Sequence, residues 1–124
     1  MLSSTGVNKL EKITIMIADD HPLLRQALRY ILEGEPDFDI IAEVSDGEQA
    51  LAYAAEMTPE VVIMDINMPV LNGLEATRKI KAQCPDTKII ALTVYDDSEH
   101  ILSILEAGAV GYLTKRVIAP VSSS

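Results

Sequence analysis

"IMIADDH", residues 15–21, decides how this chain is read. Four apolar residues run directly into two adjacent carboxylates, Asp19 and Asp20, followed by His21 and Pro22. The apolar run fits a buried strand, which places both acids at its carboxyl end. Neighbouring anions repel each other, so something elsewhere in the chain must offset the pair.

The same kind of run recurs. "ITIMIA" (13–18), "VVIMDI" (61–66) and "IIALTV" (89–94) are nearly continuous apolar stretches rich in Ile and Val, the composition of strands covered on both faces. "FDIIAEV" (38–44) differs, since Phe38, Ile40, Ala42 and Val44 alternate with Asp39 and Glu43. That alternation predicts a half-exposed strand near an edge. "VGYLT" (110–114) is the fifth candidate strand.

Helical spacing fills the gaps. Leu24, Ala27, Leu28, Ile31 and Leu32 share one face, with Pro22 acceptable in the first turn. Ala50, Leu51, Ala54 and Ala55 form a second stripe. Gly73, Ala76, Thr77, Ile80 and Cys84 form a third, limited by Pro85. A fourth helix is expected from near Asp97, with Asp96 and Glu99 as a capping box and Gly108 at its end. Strands alternating with helices imply a doubly wound parallel sheet, α/β in class, with right-handed crossovers. Such sheets bind ligands at the carboxyl ends of their strands.

At 124 residues the chain is long enough for one domain with a real core, and 48% hydrophobic residues exclude a disordered one. Ten Lys and Arg against 19 Asp and Glu give a net charge of −9. So acidic a surface repels nucleic acid and anionic membranes and suits cations. No apolar run approaches the roughly 20 residues of a membrane span. Cys84, the single cysteine, has no internal disulfide partner and fits a reducing compartment. Residues 1–12 lack the apolar segment of a signal peptide and read as a flexible leader.

The polar residues gather at one sheet edge. Asp19 and Asp20 end the first strand, Asp65 the third and Thr93 the fourth, and Lys115 follows the fifth. If the first and third strands are neighbours, three carboxylates meet. Two unit charges about 4 Å apart repel by about 4 kcal/mol at an effective dielectric of about 20. Protonating one acid relieves this; a hard divalent cation such as Mg²⁺ relieves it better, taking a few carboxylates and keeping waters. Thr93 and Lys115 then suit an anion, and an aspartate facing them can act as a nucleophile towards phosphorus. Taken singly, each residue has an ordinary reading. An Asp at a strand end is more often a helix cap or turn residue. His21 reads as a surface cap rather than a metal ligand or general base, Tyr112 as a strand aromatic, and Asn67, Pro69 and Gly73 as loop residues. Their coincidence at one edge, in order, carries the functional reading.

That ordered set resembles the receiver domain of bacterial two-component response regulators. The matching stretches are "IADDHPLLRQAL", "EVSDGEQAL", "VVIMDINMPVLNGLEATRKI", "IIALTVYDD" and "LEAGAVGYLTK", of which "MDINMPVLNG" is the most specific. "DDHPLLRQAL" and "AGAVGYLTK" resemble the NarL/FixJ-type subfamily, whose members usually join a receiver to a LuxR-like helix-turn-helix DNA-binding domain. The resemblance implies a flavodoxin-like fold with strand order 2-1-3-4-5 and Asp65 as phosphoacceptor. It implies Mg²⁺ held by Asp20, by Asp19 partly through water, by Asp65 and by the carbonyl of Asn67. Thr93 and Lys115 would contact the phosphoryl oxygens, and Thr93 and Tyr112 would form the switch. The donor would be a phosphohistidine on a sensor histidine kinase in the cytoplasm. The chain would be a switch catalysing only its own phosphotransfer and dephosphorylation. DNA would be reached only through an output domain outside this chain.

Two departures follow. Val94 stands where many receivers carry Ala, Gly or Ser, and its branched side chain is expected to narrow access to Asp65. After the receiver at 13–115, only "RVIAPVSSS" (116–124) remains, a truncated or foreign tail. Pro120 and the serines oppose a fifth helix there, and the uncovered sheet face is expected to drive self-association. Three rivals are weaker. An inactive receiver-like interaction module would need one of these site residues absent, and none is. An aspartyl-phosphate hydrolase of the haloacid dehalogenase type would carry a second acid where Asn67 stands. A nucleotide-binding fold would need a glycine-rich loop after the first strand.

Overall fold

The computed structural model describes residues 12–68, 70–94 and 98–115. They form strands β1 (Ile13–Ala18), β2 (Phe38–Val44), β3 (Val61–Asp65), β4 (Lys88–Thr93) and β5 (Gly111–Thr114). Between them run helices α1 (Pro22–Glu33), α2 (Gly47–Met57), α3 (Gly73–Gln83) and α4 (Ser98–Glu106). The strands make one parallel sheet in the order β2-β1-β3-β4-β5. Each expected strand is found within about one residue of its predicted ends. The capping box at Asp96 and the missing fifth helix in 116–124 both fall outside the described residues.

Two apolar clusters sit on the two sheet faces. Met16, Ala18, Val62, Met64, Ile89 and Ala91 pack with Ala50 and Ala54 of α2, Ala76 and Ile80 of α3 and Ile104 of α4. Ile15, Ile17, Ile63 and Leu92 pack with Leu24 and Leu28 of α1. Strand interiors thus feed both faces, which is why β1, β3 and β4 read as unbroken apolar runs.

The edge strand β2 departs from simple alternation. The pairing with β1 shifts register between Ile15 and Met16, so that Ile15 faces Ile40 but Met16 faces Ala42. Skipping Ile41 turns the strand over. Phe38 and Ile40 join the α1-side cluster, whereas Ala42 and Val44 join the opposite one. Glu43 is thereby brought to the α1 side, where it pairs with Arg25 and Arg29.

Two helix starts position the site. Asp46 caps α2 by accepting from the Gln49 amide at 2.8 Å, and Asn72 caps α3 by accepting from the Glu75 amide at 3.0 Å. Both helices begin on glycine because backbone lies against them. A Cβ at Gly73 would stand 2.1 Å from the Asp65 carbonyl oxygen, and one at Gly47 would stand 1.9 Å from that of Leu71. Gly108 follows α4 with φ +115°, the left-handed conformation that favours glycine at a helix end.

Candidate functional site

Asp19 follows β1, Asp65 ends β3, Thr93 ends β4 and Lys115 follows β5, so four chain segments deliver polar side chains to one edge. The pairing of β1 with β3 makes the acids neighbours. Asp19, Asp65 and Thr93 are buried, and Asp20 is partly exposed.

Asp65 has two differently furnished oxygens. Oδ1 accepts from the Asn67 amide at 3.0 Å and lies 3.0 Å from Lys115 Nζ. Oδ2 has no hydrogen-bond partner. Asp19 Oδ1 accepts from the His21 amide at 2.8 Å, while Asp19 Oδ2 and Asp20 Oδ1 also lack hydrogen-bonded partners. Arg25 donates to the Asp19 carbonyl oxygen, fixing the end of β1 rather than neutralising the carboxylates. Burial, and then the Asp19 charge, push the Asp65 carboxyl up from 3.8 to about 6, against the hydrogen bonds from Lys115 and Asn67. Desolvation and like charge thus outweigh one ammonium and one amide.

Buried carboxylate oxygens without donors fit a cation, since each costs free energy unless something compensates it. The donor set fits a hard ion. Asp19, Asp20, His21 and Asp65 each offer one ligand atom, and these lie within 4.8 Å of one another.

The sequence-expected residues are accounted for as follows. Asp19, Asp20, Asp65 and Lys115 converge, with Asn67 joined through its main chain. Thr93 stands at the end of β4 beside them, paired in register with Thr114. Tyr112 lies on β5 opposite Ala91 and is 40% exposed. Val94 directly follows Thr93 and is half-exposed. Pro69 lies outside the described residues.

His21 is the residue whose place the sequence concealed. It does occupy the N-cap position of α1, as a cap reading expects, but its side chain makes no capping bond. Instead Nδ1 turns to the acids, 3.1 Å from Asp19 Oδ1 and 3.2 Å from Asp20 Oδ1. Its position next to the Asp pair was the available signal; ring direction was not.

The response regulator receiver domain family matches residues 15–120. The transcriptional regulatory protein DegU of Brevibacillus brevis is 44% identical over 108 residues, which are 87% of this chain and 46% of that protein. The transcriptional regulatory protein LiaR of Bacillus subtilis (strain 168) is 40% identical over 103 residues, 83% of this chain and 49% of that one. The chain therefore spans about half the length of the curated relatives it matches. Among solved structures, a LuxR-family two-component response regulator from Aurantimonas sp. SI85-9A1 has TM-score 0.81 at 35% identity, covering 90% of this chain and 81% of that one. The response regulator domain of Thermotoga maritima CheB has TM-score 0.81 at 30% identity, covering 90% and 91%.

Proposed function

The chain belongs to the response regulator receiver family of two-component systems, and on that premise we propose that it is a phosphoacceptor switch with Asp65 as acceptor. The observation that carries this reading is the buried Asp65 carboxylate, one oxygen held by Lys115 and Asn67 and the other left without a partner beside Asp19. A phosphohistidine on a sensor kinase is the donor. A carboxylate oxygen of Asp65 attacks phosphorus, the P–N bond breaks, and its electron pair stays with the departing imidazole. The product is an aspartyl phosphate.

Lys115 and Thr93 receive the phosphoryl oxygens. Asp20, Asp65, Asp19 partly through water and the Asn67 carbonyl would hold Mg²⁺. When bound, Mg²⁺ supplies charge neutralisation and orientation. Thr93 passes the change to Tyr112 on the neighbouring strand. Val94, directly after Thr93, narrows the approach to Asp65 and slows the transfer. The switch acts in the cytoplasm through a DNA-binding output domain. No described helix is long and apolar enough to cross a membrane. Exposed Leu102, Leu105, Val110 and Leu113 support self-association on the β4–β5 side.

Acetyl phosphate with Mg²⁺ tests the reading. The expected result is a persistent acid-stable, base-labile adduct, absent from Asp65→Asn. Phosphate release without an adduct would favour a hydrolase, and labelling retained in the mutant would move the acceptor elsewhere.

A further inference from the structure

We propose that His21 determines the specificity of the metal site, adding a nitrogen donor that raises its preference for ions such as Ni²⁺ relative to Mg²⁺. This rests on the reading of the acidic cluster as a metal site. Two ligands at right angles on a six-coordinate ion with bonds of about 2.1 Å stand about 3.0 Å apart, and opposite ligands about 4.2 Å. His21 Nδ1 lies 3.1 Å from Asp19 Oδ1, 3.2 Å from Asp20 Oδ1 and 3.9 Å from Asp65 Oδ2. Each of these separations lies within or close to the range that lets His21 Nδ1 share one ion with a carboxylate oxygen, and all four donor atoms lie within 4.8 Å of one another.

Two further observations point the same way. Asp19 and Asp65 are fully buried, each keeps an oxygen with no hydrogen-bond partner, and that of Asp65, Oδ2, is the one that lies 3.9 Å from His21 Nδ1. The His21 ring makes no capping bond at the helix end; its Nδ1 is instead hydrogen-bonded to Asp19 Oδ1 at 3.1 Å, the oxygen that also accepts from its main-chain amide at 2.8 Å, so the ring already faces the carboxylates. Mg²⁺ prefers oxygen and gains little from imidazole. Ni²⁺ accepts imidazole readily and stands high in the general affinity order of divalent ions.

Calorimetric titration with Mg²⁺ and with Ni²⁺ at one fixed pH, on the wild-type chain, His21→Ala and His100→Ala, decides it. Loss of even an outer partner of a metal ligand typically costs 10–100-fold in affinity. His21→Ala should therefore weaken Ni²⁺ by about tenfold or more and change Mg²⁺ by no more than about twofold. Retained Mg²⁺ binding also shows that the variant is folded. His100→Ala should change neither. An unaltered Ni²⁺ affinity in His21→Ala, equal losses for both ions, or a Ni²⁺ loss reproduced by His100→Ala each overturn the proposal alone. A wild-type chain that binds neither ion overturns the metal-site reading with it.

Discussion

Lys115, just beyond β5, sets its ammonium 3.0 Å from Oδ1 of Asp65 at the end of β3, reaching across the intervening β4. The contact ties the far side of the sheet to the acceptor. It does not satisfy Asp65 fully, because the carboxyl still titrates well above its ordinary value.

Asp65→Asn should therefore cost the chemistry without costing the fold. Asn is nearly isosteric and removes one of three crowded anions. We predict loss of the base-labile adduct and a metal-free stability at neutral pH raised by on the order of 1–3 kcal/mol. Urea unfolding in EDTA checks the second part, and a lowered midpoint would show that the Lys115 pair outweighs the repulsion.

The same carboxyl predicts an unusual pH trend. Its folded value, about 6, lies above the ordinary 3.8, so the folded state binds the proton more readily. The cost of holding it ionised is present above about 6 and is relieved as pH falls from there towards 4. The contribution is on the order of 3 kcal/mol. Subtracting the Asp65→Asn profile from the wild-type profile isolates it. A difference that is flat over this window would contradict the assignment.

Thr93→Ala should still accept phosphate but lose most of the response at Tyr112. Hydrogen bonds to charged groups contribute about 1.5–3 kcal/mol each, while inverting a population from 1:99 to 99:1 takes about 5.5 kcal/mol. Lys115 alone falls short of that. The Tyr112 resonances before and after phosphorylation provide the readout, and an unchanged response would remove Thr93 from the switch.

Gly73→Ala should damage fold and function together. Its Cβ would meet the Asp65 carbonyl oxygen at 2.1 Å and the Ile66 Cα at 2.7 Å, and backbone atoms cannot swing aside. Destabilisation of about 1–3 kcal/mol or more is expected, with slower labelling because Asp65 itself is displaced. Thermal unfolding together with the labelling rate tests this; a variant indistinguishable from wild type would mean that α3 shifts freely.

Much of this was legible because burial leaves a residue-type record. Strands β1, β3 and β4 are covered on both faces and were read from continuous Ile and Val. The acids at their ends were found by asking where parallel strands terminate. Asn67 and Tyr112 came from family likeness rather than from pattern. The turnover of β2 was not legible, since skipping Ile41 depends on the pairing with β1 and leaves the order of residue types unchanged. The direction of the His21 ring was hidden for a similar reason: composition records which group is available, but not which way a side chain turns. Gly73 was read as part of a helical stripe, yet what demands glycine there is backbone contributed by β3.

The two glycines at the helix starts carry a consequence for how a signal leaves the site. Gly47 presses on Leu71 and Gly73 on Asp65, so the segment joining β3 to α3 is clamped at both of its shoulders by bare backbone. A clamped support is a fixed anvil: charge added at Asp65 has little room to push that side. Displacement is directed to the opposite flank, where Lys115 reaches the acceptor by its side chain and the exposed Tyr112 stands on the outermost strand. Amide exchange on phosphorylation should therefore change around residues 93, 94 and 110–114 and stay quiet at 70–76, and the reverse pattern would refute this polarity.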